Sequence, residues 1–166
     1  ENRNIPIIAY TYNEPIINVE YIIDTAKQAK KKGIKNVMIT NGHHSKESRE
    51  ALAPVIDAVN IDLKSFSEDF YRKLCKGKLQ PVLDTIEFYK QEGVWVEVTT
   101  LIIPGVNDSE QELGKIAAFI AELDPSIPWH VSAFHPYHRM QEYTPATTEH
   151  LKKAHRIGKE KGVKHI

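Results

Sequence analysis

The sequence predicts an α/β protein in which parallel strands alternate with helices to make a barrel or partial barrel. Three observations predict it. Strand-like segments begin near residues 5, 36, 58, 94 and 129, each followed by a helical segment; such a βα repeat requires parallel strands joined by right-handed crossovers. No GxGxxG follows any strand and no P-loop is present, which disfavours a dinucleotide-binding sheet. Polar, chemistry-bearing residues collect where the strands end, as they do in parallel α/β sheets and barrels.

Taken in order, the first strand runs over residues 5–12 and stops at Asn13-Glu14-Pro15. Asn18 is placed to cap a helix whose Val19, Ile22, Ile23, Ala26 and Ala29 follow the 3.6-residue period. Lys30, Lys31 and Lys32 suit the negative end of its dipole, and Gly33 ends it. Residues 36–40 make the second strand, closing on Asn41-Gly42-His43-His44, and a short helix from Ser45 breaks near Pro54. The third strand, 58–64, alternates: Val59, Ile61 and Leu63 share one face, Asn60, Asp62 and Lys64 the other. Ser67 caps a turn or short helix, and Gln80-Pro81 opens a longer one with Val82, Leu83, Ile86 and Tyr89 inward, ended by Gly93. The longest strand spans 94–103 and turns at Pro104-Gly105. Ser109 and Glu112 form a capping box for a helix burying Leu113, Ile116, Ala117 and Ile120, closed by Asp124-Pro125. A fifth strand covers 129–134, a last helix runs from about Thr148 to Lys161, and residues 163–166 begin a sixth strand.

The composition excludes several function classes. The chain has 166 residues, of which 41% are hydrophobic and 27% charged, ordinary for one soluble globular domain with a real core. Lys plus Arg equals Asp plus Glu at 22 each, which argues against a nucleic-acid partner. No apolar run reaches membrane-spanning length and no signal-peptide pattern opens the chain, so no membrane partner is expected. A single cysteine, Cys75, excludes an internal disulfide and fits a reducing, cytoplasmic setting.

The strand ends supply the candidate site: Tyr12, Asn13 and Glu14; Thr40, Asn41, His43 and His44; Asp62 and Lys64; Thr99 and Leu101; His135 and His138, with Glu97, His130 and Ser132 deeper on their strands. Each has a plainer reading. Glu14 before Pro15 can cap the next helix. His43-His44 can be an exposed turn pair. Glu97 can pair with Lys64 as structural filling, His130 can be a core histidine, and Asp62 with Lys64 can be a structural ion pair. Cys75 sits away from any strand end and reads as inert.

Five segments in order carry a family resemblance: Tyr12-Asn13-Glu14-Pro15, Thr40-Asn41-Gly42, Asp62-Leu63-Lys64, Ile103-Pro104-Gly105-Val106-Asn107-Asp108 and His135-Pro136-Tyr137-His138. Together they resemble a radical S-adenosylmethionine (SAM) enzyme similar to the pyruvate formate-lyase activating enzymes, and among these the radical SAM member of the AmmeMemoRadiSam system. The resemblance covers nearly the whole chain. It implies a partial (β/α) barrel of the radical SAM type, a SAM cofactor, and a [4Fe-4S] cluster that reduces SAM to a 5′-deoxyadenosyl radical for hydrogen abstraction. Its partners would be a small-molecule substrate or a glycyl radical protein, and an electron donor such as flavodoxin or ferredoxin. By the same resemblance Asn13 and Glu14 match the motif that holds the SAM amino group, which needs acceptors. Thr40 and Asn41 match the segment near the ribose and a monovalent-cation site, where Ile39 replaces an acidic residue. Asp62 and Lys64 match positions beside the SAM carboxylate, Leu101 an adenine contact, and His138 a histidine lining the pocket.

One departure matters. The family binds its cluster through CxxxCxxC, and these residues contain one cysteine, elsewhere. The expectation is therefore a single partial-barrel domain over 1–166, cropped at the N-terminus with the first βα unit and cluster ligands missing, cropped also at the C-terminus, and inactive as it stands. No residue stands out as an acid or base for a second step. Two other readings are carried: a divalent-metal barrel hydrolase or isomerase using Glu14, His43, Asp62, Glu97 and His135, and a non-enzymatic scaffold that binds SAM or a nucleotide.

Overall fold

β-branched residues set where the strands lie and turn chemistry ends them. A computed structural model describes residues 6–166; Ile5, expected to open the first strand, lies outside them. The strands are β1 (Ile7–Tyr10), β2 (Lys35–Thr40), β3 (Ala58–Asp62), β4 (Trp95–Ile102) and β5 (Trp129–Ala133). Between and after them come α1 (Val19–Lys31), α2 (Lys46–Leu52), α3 (Glu68–Phe70, continuing as a π-turn Tyr71–Cys75), α4 (Gln80–Gln91), α5 (Glu110–Leu123) and α6 (Thr148–Glu160). The expected alternation of strand and helix is present. The described residues fold as two compact units, 6–61 with 80–96 and 62–79 with 97–166.

In the first unit β1, β2 and β3 are parallel neighbours in that order, with Ile8 beside Asn36 and Met38 beside Val59. Helix α1 buries Ile22, Ala26 and Ala29, and α4 buries Val82, Leu83, Thr85, Ile86 and Tyr89. Asn18 occupies the N-cap of α1, yet its side chain makes no capping bond; a 3₁₀ turn, Pro15–Asn18, leads in and is capped by Glu14. The buried Asn36 ties three elements together. It accepts from the Tyr10 hydroxyl at 2.9 Å and donates to the Ala26 carbonyl at 3.3 Å. Its backbone N–H donates to Asp57 at 2.8 Å. Burial works against the charge of Asp57, but the Asn36 amide with Lys35 and Lys30 outweighs it and holds the carboxyl below its usual range.

In the second unit β4 and β5 are parallel, Val98 beside Trp129 and Leu101 beside Ser132. The buried Trp129 indole donates to the Thr100 hydroxyl at 2.9 Å, and that hydroxyl donates to the Leu63 carbonyl at 2.8 Å. Helix α5 buries Leu113, Ile116, Ala117 and Ile120. Ser109 caps it by accepting from the Glu112 N–H at 3.1 Å. The other half of the expected capping box is spent differently: the Glu112 carboxylate accepts from the Phe66 N–H at 2.5 Å and from the Ser65 hydroxyl. Those donors belong to the segment after Lys64, so the glutamate anchors a loop rather than its own helix end. Residues 163–166 do not begin a strand. The His165 carbonyl accepts from Trp129 N–H at 2.9 Å and Lys164 N–H donates to Pro125 at 2.8 Å, too few bonds for a ladder.

Gly42, two residues after the end of β2, has φ 75°. A Cβ there would meet the Ile61 side chain at 2.6 Å and that of Val82 at 3.1 Å, whereas Gly93 at φ +74° faces open space. Gly93→Ala is expected to cost about 1–2 kcal/mol from backbone strain alone. Gly42→Ala adds overpacking of about 1–3 kcal/mol, and the difference between the two urea-unfolding curves measures it.

Candidate functional site

The candidate residues form two sets, one in each unit. The first sits at the carboxyl ends of β1 and β2. Tyr12, wholly exposed, has φ 73°, a left-handed conformation uncommon for a bulky residue; the chain reverses there before Asn13 and Glu14. The Glu14 carboxylate is held by three donors. Oε1 accepts from the Thr40 hydroxyl at 2.5 Å and the Ile16 N–H at 3.3 Å, and Oε2 accepts from the Asn41 N–H at 2.8 Å. The capping reading and the site reading of Glu14 therefore both hold. A carboxylate has about four acceptor positions, so Oε2 keeps capacity for one more donor. Asn41 turns its own oxygen back to the His43 N–H at 2.8 Å, an Asx turn. Asn13 is exposed and lines an open groove with Tyr10, Thr11 and Tyr21.

The two histidines after β2 differ, and the expectation of an exposed turn pair is corrected for one of them. His43 is exposed. His44 is buried, with Nε2 2.9 Å from the Thr40 hydroxyl and Nδ1 3.4 Å from the Tyr89 hydroxyl. Burial, then the charges of Arg49 and His43, lower its pKa to about 4, so the ring is neutral near pH 7. Spacing held the signal: His44 follows Thr40 by four residues, and Tyr89 was already an inward position of α4.

In the second set, Lys64 Nζ meets Asp62 Oδ2 at 2.7 Å. Both side chains are partly exposed, which limits such a pair to about 0–1 kcal/mol. The backbone around them is held more firmly. The Lys64 N–H donates to the Tyr71 hydroxyl at 3.1 Å, and burial raises that phenol, against the pull of the Lys64 amide. Asn107 lies in one of the resemblance segments, but local sequence assigns it no role. Its Nδ2 donates to the carbonyls of Lys64 at 2.7 Å and Leu101 at 2.8 Å, while its Oδ1 accepts from the Ile103 N–H at 2.7 Å. This buried side chain is the physical content of Pro-Gly-Val-Asn-Asp: it pins the two segments that carry Lys64 and Leu101. Asp108 next to it accepts from the Gly105 N–H at 2.7 Å and from Lys153 at 3.1 Å.

Leu101 lies on the exposed face of β4. On the same face Glu97 Oε2 stands 2.7 Å from Nε2 of His130 on β5. Glu97 is thus bonded to His130, and the partner of Lys64 is Asp62. His130 is exposed, not a core histidine; its neighbour Trp129 takes the core position because the strand alternates. Cys75 is exposed at the end of the π-turn Tyr71–Cys75, away from any strand end, and partial desolvation raises its thiol against the pull of Lys64. A raised thiol is a poor nucleophile. His138 is exposed, with φ 53°, and opens the 3₁₀ turn His138–Met140. His135 is exposed. Among the described residues no three His, Cys, Asp or Glu side chains gather closely enough to hold a metal ion. The set proposed for a divalent-metal hydrolase is therefore not assembled, and one of its members, Glu97, is occupied by an imidazole.

Residues 1–120 match the Radical SAM superfamily. An uncharacterized protein of Methanocaldococcus jannaschii is 43% identical over 164 residues, which are 98% of this chain and 48% of that one. The pyruvate formate-lyase-activating enzyme of Clostridium pasteurianum is 26% identical over 166 residues, covering 96% of this chain and 69% of its own length. The first of these relatives is about twice as long as the chain, which spans about half of it. Among solved structures, a domain of pyruvate-formate lyase-activating enzyme from Bacteroides vulgatus superimposes with a TM-score of 0.77 at 22% identity, covering 96% of each chain. The α/β fold expected from the strand–helix alternation, a radical SAM partial barrel, is the fold shared with that domain.

His44 carries a pH dependence. Its folded value near 4 lies below the 6.5 of the free side chain, so the unfolded chain binds more protons between those values. Stability then falls as pH drops through that window. The expected loss from pH 7 to pH 4.5 is about 2–3 kcal/mol from this residue, absent in His44→Gln, and urea unfolding at the two pH values measures it.

Proposed function

Because this chain belongs to the radical SAM superfamily, we propose that it binds S-adenosylmethionine as part of an activating-enzyme-like radical SAM protein. The observation that carries the reading is Glu14: a carboxylate at the end of a parallel strand, oriented by Thr40, Asn41 and Ile16, with acceptor capacity left for an ammonium. In this reading Asn13 and Glu14 receive the SAM amino group, and Thr40 and Asn41 lie near the ribose. In the other unit the family resemblance assigns Lys64, beside Asp62, to a carboxylate, Leu101 to a base and His138 to the pocket lining. Ile39 offers no ligand oxygen, so these residues supply no acidic ligand for a monovalent cation at that position.

SAM held by Asn13 and Glu14 would supply hydrogen-abstraction chemistry only together with an iron–sulfur cluster. The cluster itself does not fit these residues. Three thiolates are needed and only Cys75 is present, so no step through the cluster is assigned to them. What Asn13 and Glu14 do in this reading is accept and orient: they offer oxygens to the ammonium of the amino-acid moiety. A glycyl radical protein is the partner this reading favours, supported by the likeness to a putative glycyl-radical enzyme activating enzyme of Methanocaldococcus jannaschii.

Calorimetric titration with SAM tests the proposal, and an absence of binding to the wild-type chain would sink it. Glu14→Gln removes the charge that faces the ammonium and is expected to weaken binding about 10–100-fold, the worth of one charged hydrogen bond. Lys64→Met keeps the stem and removes the charge; being partly exposed, it is expected to weaken binding only about fivefold.

A further inference from the structure

We propose that His44 is a positioning residue for Glu14: by donating from Nε2 to the Thr40 hydroxyl oxygen, it commits the single Thr40 proton to the Glu14 carboxylate. The inference rests on the reading of Glu14 as the acceptor for the SAM amino group, and it assigns a role to a residue that nothing in that reading uses.

The argument is one of proton counting. A hydroxyl has one proton and two lone pairs. Three groups surround Thr40 Oγ1: the Gly42 N–H at 3.2 Å, His44 Nε2 at 2.9 Å and Glu14 Oε1 at 2.5 Å. The Gly42 amide can only donate and takes one lone pair. A carboxylate can only accept, so the Thr40 proton points at Glu14. The remaining lone pair faces Nε2, which must therefore carry a hydrogen. Nδ1 of the same neutral ring is then the acceptor, and the group beside it is the Tyr89 hydroxyl, 3.4 Å away. The chain of donors runs in one direction: Tyr89 to His44, His44 to Thr40, Thr40 to Glu14. The opposite tautomer would take the Thr40 proton for Nε2 and leave two oxygens 2.5 Å apart with no hydrogen between them.

The surroundings hold this arrangement. His44 and Tyr89 are buried, so neither ring has water as an alternative partner. Gly42 brings its N–H to Thr40 from a left-handed turn, with Ile61 and Val82 packed where a side chain would be. His44 does not touch the proposed ligand; it acts through Thr40. Its effect is to keep Oε1 satisfied from inside the protein, which leaves Oε2, held by one backbone N–H, with acceptor capacity for the ligand.

Two measurements test the assignment. Long-range ¹H–¹⁵N correlation spectra at pH 7, with His44 identified by its loss in His44→Gln, are expected to show a protonated Nε2 and an unprotonated Nδ1. A protonated Nδ1 overturns the proposal whatever the variants do. Calorimetry with SAM supplies the second measurement. His44→Leu, which cannot donate, is expected to weaken binding about fivefold or more, and His44→Gln, whose amide N–H can serve Thr40, to stay within about twofold of wild type. If Glu14→Gln weakens binding while His44→Leu leaves it unchanged, the positioning role falls and the SAM reading stands. If Glu14→Gln itself leaves the affinity unchanged, both fall.

Discussion

A parallel strand that ends in polar groups needs partners for them, and those partners must come from later in the chain. This constraint organises each unit. At the ends of β1 and β2, Glu14 is met by the hydroxyl and backbone of Thr40 and Asn41. After β3, the Leu63 carbonyl is met by Thr100 and the Lys64 carbonyl by Asn107. An unpaired buried donor or acceptor costs about 1–3 kcal/mol, so these loops are not free to drift. Order at the strand ends follows from backbone satisfaction, and the outward-facing side chains inherit it.

The two sets of candidate residues are held differently, and the difference bears on what each can do. Glu14 is oriented by hydrogen bonds at both oxygens; its geometry is set before any ligand arrives, which lowers the cost of binding. Asp62 and Lys64 are fixed at the backbone but only loosely at their tips, where they neutralise each other while partly exposed. A charge paired with its neighbour is easily exchanged for a ligand's charge, since the solvent-screened pair is worth little. The Glu97–His130 pair on the open face of β4 and β5 has a different character. The carboxylate sets the imidazole's orientation, the arrangement by which proteins fix a histidine tautomer.

Much of the candidate site was legible in the chain. Turn chemistry placed Glu14, Thr40, Asn41, Asp62 and Lys64 at strand ends, and parallel topology made strand ends the place to look. What was misread shares one physical cause. Glu112 stood at the capping-box spacing from Ser109, yet its carboxylate binds Ser65 and Phe66; Glu97 was matched to Lys64 but bonds His130; His44 was read with its exposed neighbour but is buried against Tyr89. Each is a polar side chain with several partners in reach, and local spacing does not rank partners that lie dozens of residues away.

The order of the elements, the helix faces and the strand-end clustering were written in the chain itself, because they rest on periodicity, propensity and turn residues that act within a few positions. Partner choice was settled only by folding. Asn107 is the clearest example: as a letter it is a loop asparagine, and only in three dimensions does its amide span the carbonyls of Lys64 and Leu101. Hydrogen bonds are short-ranged and directional, so their pairing is decided when the backbone brings distant residues together.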